Sequence, residues 1–544
     1  MREKKEKTVQ PERLEKEYRE IPAQLKKDFE HKTGLDFDKV KVPYDTHKPS
    51  KAGALAYIQR DDIFVGPGQE KHLLHELGHV VHQEMGHIRP IVERSEQLHK
   101  EMGSVKNLET YEEVSEAFDR LNPLCRSIMG QGYRDSLAII KEFMDLDEVV
   151  FHTGDKVLNW SVPQEWVIRE AWIKDSKGNK IIDFKDHNLH VMNYSEPVDK
   201  IVSLEELKKN IYTSDSNPDA IPYVFSYYKK RWGFAMSKNQ LNSLPEDQYH
   251  VYIDSEFIDG SLVVGHTKLQ GKSEKEILLS SYLCHPSMAN NELSGPLVLA
   301  MLYQRISKWK DRKYTYRFVV NPETIGSIAY LSRYGEELKD KLHAGLVFTC
   351  LGGDETLRYK TSRSENAPFD YLVSYMNSVE ETFRIEKFIP SSGSDERQYC
   401  SPGFDLPVGQ MARKVYGQYK EYHTSLDTKE LMGIDNIIDS CNKIEEFLKK
   451  NEEEEFYKNK YPNGEVKLGN YDLYPSLNSN GSRKNEIESI VNESWFIASV
   501  MTILNYADGK HSLSYCAERL HMDISKVKEV VEILVNRGLL DGPF

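Results

Sequence analysis

Two histidines and a glutamate near the start of the chain have a spacing that can hold a metal ion. His75, Glu76 and His79 lie in the stretch KHLLHELGHVVHQ, residues 71–83. On a helix, residues four apart share one face, and here the histidines face away from the leucines and valines. Two such imidazoles can bind zinc, and the glutamate between them can polarise a water molecule. The motif predicts a zinc site with Glu76 as a catalytic residue.

The third ligand of this first site is left open by the sequence. Glu113 and Glu116 follow in the stretch YEEVSEAFD, where sites of the gluzincin type place a carboxylate ligand. Acidic residues are frequent in this part of the chain, so position alone does not choose between them. We take Glu116 as the candidate ligand.

A second set of residues suited to catalysis lies much further along the chain. The apolar run in LLSSYLCH leads to His285, and the run in FVVNPE leads to Glu323. Between residues 250 and 450 such runs alternate with helical segments, which predicts α/β layers around a mainly buried sheet. In these folds ligands bind in the crevice at the carboxyl ends of the strands. We therefore expect His285 and Glu323 to line one crevice.

Composition bounds the class of protein. A chain of 544 residues is too long for one ordinary domain, so three or four are expected. The net charge of -14 disfavours non-specific binding to nucleic acid or to an anionic membrane. The six cysteines form no CxxC pair, and neither a signal region nor a membrane-spanning run is present. These features predict a cytoplasmic protein that would leave the cell only by a route without a signal peptide.

The chain changes character several times. Residues 1–120 contain the HExxH motif and are expected to form an α+β module, and residues 121–475 follow as an α/β domain. Many short strands separated by turns occupy about 155–235, and the charged segment 449–460 is expected to be a linker. Residues 476–544 have the helical pattern of a winged helix. Its charges are mixed, which favours packing or partner docking over DNA reading.

Residues 21–83 resemble the metallopeptidase domain of proteins associated with extracellular contractile injection systems. The resemblance is carried, in order, by FDKVKV, DDIFVGPG and LLHELGHVVHQ. It implies association with an injection particle, for example as its cargo. His82 departs from the family, which has glutamine at this position.

Residues 121–475 resemble the bacterial aminopeptidase-like domain family often found near polysaccharide-biosynthesis genes. The motifs are PLCRSIMGQGYRDSL, NWSVPQEW, YLCHPSMANNELSGP, YRFVVNPETIGSIAYLS, GSDERQYCSPGFDLPV and EYHTSLDT. The resemblance implies a multi-domain α/β protein: a three-layer core like that of zinc aminopeptidases, an inserted small β domain and a C-terminal winged helix. It also implies that His285 and His423 bind metal, that Glu323 is the general base and that Asp395 lines the site.

Three positions depart from the two-zinc pattern of the zinc aminopeptidases. Asn291 stands at the bridging carboxylate, Thr324 at the glutamate ligand after the base, and Thr349 or Cys350 at the next aspartate ligand. Two metal ions about 3.5–4 Å apart need carboxylates to neutralise their charge. The central site is therefore expected to hold one metal ion or none.

These observations together predict a zinc-dependent peptidase that hydrolyses peptide or amide bonds. The single metal ion would be held by His285 and His423, with Glu292 or Asp395 as a further ligand. One alternative is a binding protein on a degenerate peptidase fold. Another is an injected toxin whose N-terminal module serves loading or self-processing.

Overall fold

The chain divides into two compact units, residues 1–105 and residues 106–544. The computed structural model describes residues 106–474, 491 and 493–544, and in the first unit it describes the backbone of four short strands. These strands form two antiparallel pairs: Tyr18–Arg19 with Val42–Pro43, and Ala56–Gln59 with Asp62–Val65. His75, Glu76 and His79 lie outside the described residues, so the zinc site at the HExxH motif stays a prediction.

An eight-stranded mixed sheet forms the centre of the second unit. In chain order its strands are β1 Asp147–His152, β2 Ser261–Leu269, β3 Glu276–Tyr282, β4 Thr315–Asn321, β5 Leu342–Phe348, β6 Arg358–Lys360, β7 Arg384–Glu386 and β8 Val408–Ala412. Their order across the sheet is β7-β6-β8-β5-β3-β4-β2-β1. The inner strands β4, β3, β5 and β8 run parallel to one another. Their carboxyl ends therefore meet at one edge.

The inner strands are buried on both faces, which explains their continuous apolar runs. In β4, for example, Phe318 and Val320 pack on one face of the sheet, while Val319 between them packs on the other. A strand can be covered in this way only when helices or other elements lie on both sides of the sheet. The α/β architecture expected from the alternating pattern is confirmed.

Helices cover both faces of the sheet. One face carries Tyr111–Leu121, Gln131–Lys141, Ser294–Ser307, Pro368–Val379 and Ile434–Glu452. The other face carries Ile325–Lys341. Shorter helices are Leu204–Lys208, Lys238–Ser243, Glu396–Tyr399 and Lys429–Met432. None of the helices in the described part of the chain combines the length and the apolar character needed to cross a membrane.

A second, antiparallel sheet is inserted between β1 and β2. Its strands are ordered Val198–Ser203, Gln248–Ile258, Glu165–Lys174 and Lys180–Asp183. The sheet reaches Ile258, beyond the expected end near residue 235, because Gln248–Ile258 pairs with strands on both of its sides. Short pairs flank it: Lys156–Val157 with Trp160–Ser161, and Ile211–Tyr212 with Phe234–Ala235. Trp160 of the first pair reaches the candidate site, as do residues of the segment 225–228 between the strands of the second pair.

The C-terminal region is a winged helix, as predicted. Its helices are Phe496–Tyr506, Leu513–Leu520 and Ile524–Asn536. Its three-stranded sheet is ordered Asp508–Ser512, Phe456–Asn459 and Leu540–Asp541. The expectation of a linker over 449–460 was wrong, because this segment ends a helix and then forms the middle strand of that sheet. Buried Phe456 and Tyr457 hold the strand in place, and the preceding acidic run hides them in the sequence.

Candidate active site

The parallel pairing of β3 with β4 brings the two strand-end residues together. Tyr282, the last residue of β3, is in register with Asn321, the last residue of β4. His285 comes three residues after Tyr282, and Glu323 comes two residues after Asn321. The Nε2 atom of His285 lies 3.6 Å from the Oε2 atom of Glu323. The structure therefore places both residues at the carboxyl edge of the sheet, facing each other.

Glu292 fixes the orientation of the His285 ring. It lies in a π-helical turn, Ala289–Leu293, and is fully buried. Its Oε2 atom is 2.7 Å from Nδ1 of His285, and its Oε1 atom accepts the backbone N–H of Cys284. Burial opposes the charged form of His285, but the carboxylate of Glu292 beside it raises its pKa above the ordinary value. With Nδ1 engaged in this way, Nε2 faces Glu323.

Two residues that the sequence reading missed support this edge. The Sγ atom of Cys284 accepts the backbone N–H of Glu323 at 3.3 Å. The buried guanidinium of Arg126 donates from Nε to the backbone oxygen of His285 at 2.9 Å. Burial raises the pKa of Cys284 to about 11, so the side chain stays a thiol and is a poor nucleophile. Neither contact has a local sequence signal, since both join residues that are far apart in the chain.

One carboxylate oxygen of Glu323 is fixed, and the other is free to act. Ser394 donates from its hydroxyl to Oε1 at 2.6 Å, while Oε2 points toward His285. Burial raises the pKa of Glu323, and the charge of His285 and the bond from Ser394 oppose that rise. A carboxylate with a raised pKa is a better proton acceptor near neutral pH. This geometry is suited to a general base.

A strained turn sets the direction of Glu323. Thr324 has φ 64° and ψ −71°, and the N–H of Ile325 donates to the backbone oxygen of Glu323 at 2.8 Å. These angles and this bond define a γ-turn with positive φ, which is a rare conformation. A β-branched residue there costs of order 1–3 kcal/mol. Strain of this kind is found at functional sites, where the surrounding structure holds it in place.

Asp395 holds this turn. Its Oδ1 atom accepts the N–H of Thr324 at 2.7 Å and the hydroxyl of Ser327 at 2.8 Å, and its Oδ2 atom accepts Nδ2 of Asn321 at 2.8 Å. Burial, followed by the nearby charge of Glu323, raises the pKa of Asp395 to about 7. Because both oxygens are occupied, this geometry suits an anchor for the turn better than a metal ligand.

His423 approaches the site from the loop after β8. Its ring centre is 5.2 Å from that of His285, and its buried Nε2 atom has no hydrogen-bond partner among the described residues. The backbone N–H of Tyr223 donates to the oxygen of His423 at 2.7 Å, which ties the loop to the inserted region. Burial, with a smaller contribution from His285, lowers the pKa of His423 well below the ordinary value. The imidazole is therefore neutral, a poor proton acceptor, and able to bind a metal ion through its free nitrogen.

The donor set does not fit a pair of metal ions. Asn291 lacks the charge of a bridging carboxylate, and its Nδ2 atom donates to the hydroxyl of Tyr282 at 3.1 Å. Thr324 supplies only its backbone to the turn, and the thiol of Cys350 is buried with a pKa raised to about 12. Two adjacent divalent ions would lack the negative ligands that neutralise their charge. The two-zinc arrangement is therefore unsuited to this chain.

A single ion fits the donor chemistry better. Nε2 of His423 is a buried nitrogen without a partner in the described chain, and Nε2 of His285 faces Glu323. Within the described residues, the ligand atoms that all lie within 4.8 Å of one another belong to Cys284, His285 and Glu292. Hydrogen bonds already join that group, and Glu323 and His423 lie outside it. The structure thus brings His285 and Glu292 together and leaves Asp395 at the turn.

Glu116 lies apart from these residues. It is exposed on the helix Tyr111–Leu121, at the start of the second unit. Its neighbour Glu113 forms a capping box with Thr110, accepting the backbone N–H of that residue at 2.9 Å. The S/T-x-x-E pattern that signals such a cap was missed in the sequence reading. The assignment of Glu116 to the HExxH site stays a prediction, because the motif is outside the described residues.

The sheet, the inserted domain and the site at the strand ends define an aminopeptidase-like α/β protein. Residues 115–454 match the family described as Domain of unknown function (DUF4910). Residues 455–542 match a winged helix-turn-helix family, and residues 20–87 match the eCIS core domain. The chain belongs to the DUF4910 family, and the two resemblances and the winged helix predicted from the sequence are confirmed.

One relative and one solved structure from the same organism support this assignment. A Clostridium acetobutylicum protein, provisionally named as a polysaccharide biosynthesis protein with an aminopeptidase-like domain, is 39% identical over 433 residues. The match covers 79% of this chain and 96% of that protein. A crystal structure from the same organism, provisionally described as a peptidase, has a TM-score of 0.65 at 37% identity, covering 82% of this chain and 99% of that chain. A zinc aminopeptidase from Bacillus subtilis is more remote, with a TM-score of 0.46 at 11% identity over 62% of this chain and 95% of that chain.

Thr324→Gly is expected to stabilise the protein. Glycine adopts positive φ without the strain of about 1–3 kcal/mol, and its own entropy cost is only about 0.5–1 kcal/mol. The free energy of unfolding should therefore rise by about 1 kcal/mol, measured by calorimetry on the intact chain. The control is Thr324→Val, which keeps the branched side chain and should show no gain. A glycine variant no more stable than the valine variant would show that the turn is unstrained.

Proposed function

We propose that the central domain hydrolyses a peptide or amide bond in a zinc-dependent reaction, with Glu323 as the general base. The observation that supports this best is the arrangement of the Glu323 carboxylate. Ser394 holds Oε1, and Oε2 faces Nε2 of His285 across 3.6 Å. Both residues line a cavity of about 230 Å³ in which a substrate can meet them.

The surrounding residues prepare Glu323 and His285 for this role. Glu323 accepts the proton of the attacking water, and its raised pKa brings it closer to the operating range of a base. Glu292 keeps the His285 ring turned toward the cavity through the 2.7 Å contact at Nδ1. Asp395 holds the strained turn that directs Glu323. The chain thus fixes the positions of the reacting groups before a substrate binds.

His285 and His423 would hold the zinc ion through their Nε2 atoms. When bound, zinc polarises the carbonyl group of the substrate as a Lewis acid. Glu292 contacts Nδ1, on the opposite side of the His285 ring from Nε2, so it would orient that ligand and would not bind the ion itself. Asp395 is also unsuited as a ligand, because three hydrogen bonds already occupy its oxygens.

A second candidate is a binding protein on a degenerate peptidase fold. It is favoured by Asn291 and Thr324, which stand where the two-zinc pattern has carboxylates, and by the hydrogen bonds that already engage Glu292 and Asp395. In that case the cavity would recognise a ligand without turning it over. Hydrolysis by the wild-type chain would support the first candidate, and its absence would support the second.

Glu323→Gln is expected to lower amide hydrolysis by at least about a hundredfold, the scale for losing a general base. Glutamine keeps the shape of the side chain but cannot take up the proton. Turnover is measured with zinc supplied, on libraries of peptides and of acetylated amino sugars. The saccharide arm is included because the Clostridium relative is named for polysaccharide biosynthesis. Zinc content of the intact chain should be unchanged in the variant.

Two controls locate the chemistry. Glu336→Gln removes a highly exposed glutamate from the helix after the strained turn, and it should leave turnover unaffected. The double variant His75→Ala/His79→Ala should lose zinc from the N-terminal motif and keep the central activity. Full activity in Glu323→Gln would show that another residue is the general base, with Glu76 as the next candidate. If the wild-type chain is inactive on every library, the binding-protein candidate replaces hydrolysis.

We also propose that residues 20–87 associate the chain with a contractile injection particle. The match of this segment to the eCIS core domain supports the proposal. A full-length chain should co-sediment with particles purified from the producing cells, and a chain lacking residues 20–87 should not. Glu76→Gln distinguishes a loading role from self-processing, because loading survives this change and self-cleavage does not. Equal co-sedimentation of the truncated chain would contradict the proposal.

A further inference from the structure

The cavity at the site has two walls from different parts of the chain. The strand ends and the loop after β8 supply one wall, which includes His285, Glu323 and His423. The inserted region supplies the other wall, through Trp160 and the segment 225–228. Six of the lining residues are aromatic or aliphatic: Ile128, Trp160, Phe225, Tyr227, Tyr228 and Ile325. The catalytic groups thus face a mainly apolar surface.

The aromatic residues of this wall are unusually exposed for their size. Trp160, Phe225 and Tyr228 retain 37%, 45% and 57% of their accessible surface. Trp160 and Tyr228 meet edge to face at 5.6 Å, and Phe225 stacks on Tyr227 at 4.7 Å. A cluster of exposed aromatic rings beside a cavity is a feature of binding sites and is not needed for folding. An aromatic ring of a ligand could pack against these side chains in either the edge-to-face or the stacked geometry.

Contacts between the inserted region and the core hold the aromatic wall beside the catalytic groups. Tyr223 donates its backbone N–H to His423, and Ser425 donates its N–H to the oxygen of Ile221 at 2.8 Å. Asn217 donates from its side chain to the oxygen of Lys420 at 3.0 Å. The segment that carries Phe225 is thereby joined to the loop that carries His423. A group stacked on the wall would lie next to Glu323.

We propose that this wall selects a substrate whose scissile amide is flanked by an aromatic ring. The inference rests on the proposed function and names its substrate class. An aromatic group is favoured over a saccharide because the side-chain polar groups of this wall are limited to the hydroxyls of Tyr227 and Tyr228 and the Nε1–H of Trp160. The hydroxyl of Tyr227 is already bonded to that of Tyr223 at 2.6 Å. Saccharide hydroxyls placed against such a wall would find replacement hydrogen bonds for only some of the water contacts that they lose.

Binding of small amides to the intact chain tests the proposal without requiring turnover. Calorimetry compares phenylalanine amide, alanine amide and N-acetylglucosamine on the wild type and on Glu323→Gln. Phenylalanine amide should bind at least about tenfold more tightly than alanine amide, the scale of one or two aromatic contacts. Trp160→Ala and Phe225→Ala should each reduce that preference severalfold and leave alanine amide unchanged. Tyr461→Ala, which removes an exposed ring that does not line this cavity, is the matched control.

The outcomes separate this inference from the proposed hydrolysis. A preference for the aromatic amide that depends on Trp160 supports the proposed role of the aromatic wall, even if no substrate is turned over. In that case only the proposal of hydrolysis is rejected. Tighter binding of N-acetylglucosamine than of phenylalanine amide would overturn the inference. A preference that survives both Trp160→Ala and Phe225→Ala, or no binding of any probe, would also overturn it.

Discussion

The parallel pairing of β3 with β4 and β5 is the constraint on which the site depends. It places the carboxyl ends of the inner strands at one edge of the sheet, and His285 and Glu323 are the residues that emerge there. Helices on both faces keep these strands buried, so the edge cannot shift without disrupting the core. Glu292, Ser394 and Asp395 then refine the positions of the two side chains through hydrogen bonds. The register of these strands thus determines where the side chains of His285 and Glu323 meet.

The site combines groups of an aminopeptidase-like fold with an altered set of carboxylates. Asn291 and Thr324 remove charges that a metal pair would require, and the remaining acids have other partners. Glu292 orients a ring, and Asp395 holds a strained turn. This distribution leaves Glu323 as the carboxylate with a free oxygen facing His285, and it leaves His423 with an unpaired nitrogen among the described contacts. One metal ion and one base are compatible with what remains.

Much of the architecture could be predicted from the sequence, because it follows from local patterns and family motifs. Apolar runs that end at His285 and near Glu323 predicted a shared strand edge, and the winged helix followed from its helical periodicity. The strand Phe456–Asn459 was misread because four consecutive acidic residues precede it. The inserted sheet extends to Ile258 through pairing between distant strands, which composition does not report.

The finer structure of the site had no local signal. Ser394 is 71 residues from Glu323, and Arg126 is 159 residues from His285, so only the folded chain brings them together. The γ-turn at Thr324 is unexpected for a β-branched residue, since the sequence has no glycine at the position that needs positive φ. The aromatic wall joins Trp160 to residues of a separate segment. Long-range contacts of this kind are set by topology.

The decisive measurement is the position of a zinc ion bound to the intact protein. Crystals of the intact protein grown with zinc would be measured on both sides of the zinc absorption edge. We expect an anomalous peak within about 2.0–2.1 Å of Nε2 of both His285 and His423, beside the free oxygen of Glu323. A peak held by the thiol of Cys284 with Glu292, or no peak at the carboxyl edge of the sheet, would contradict it.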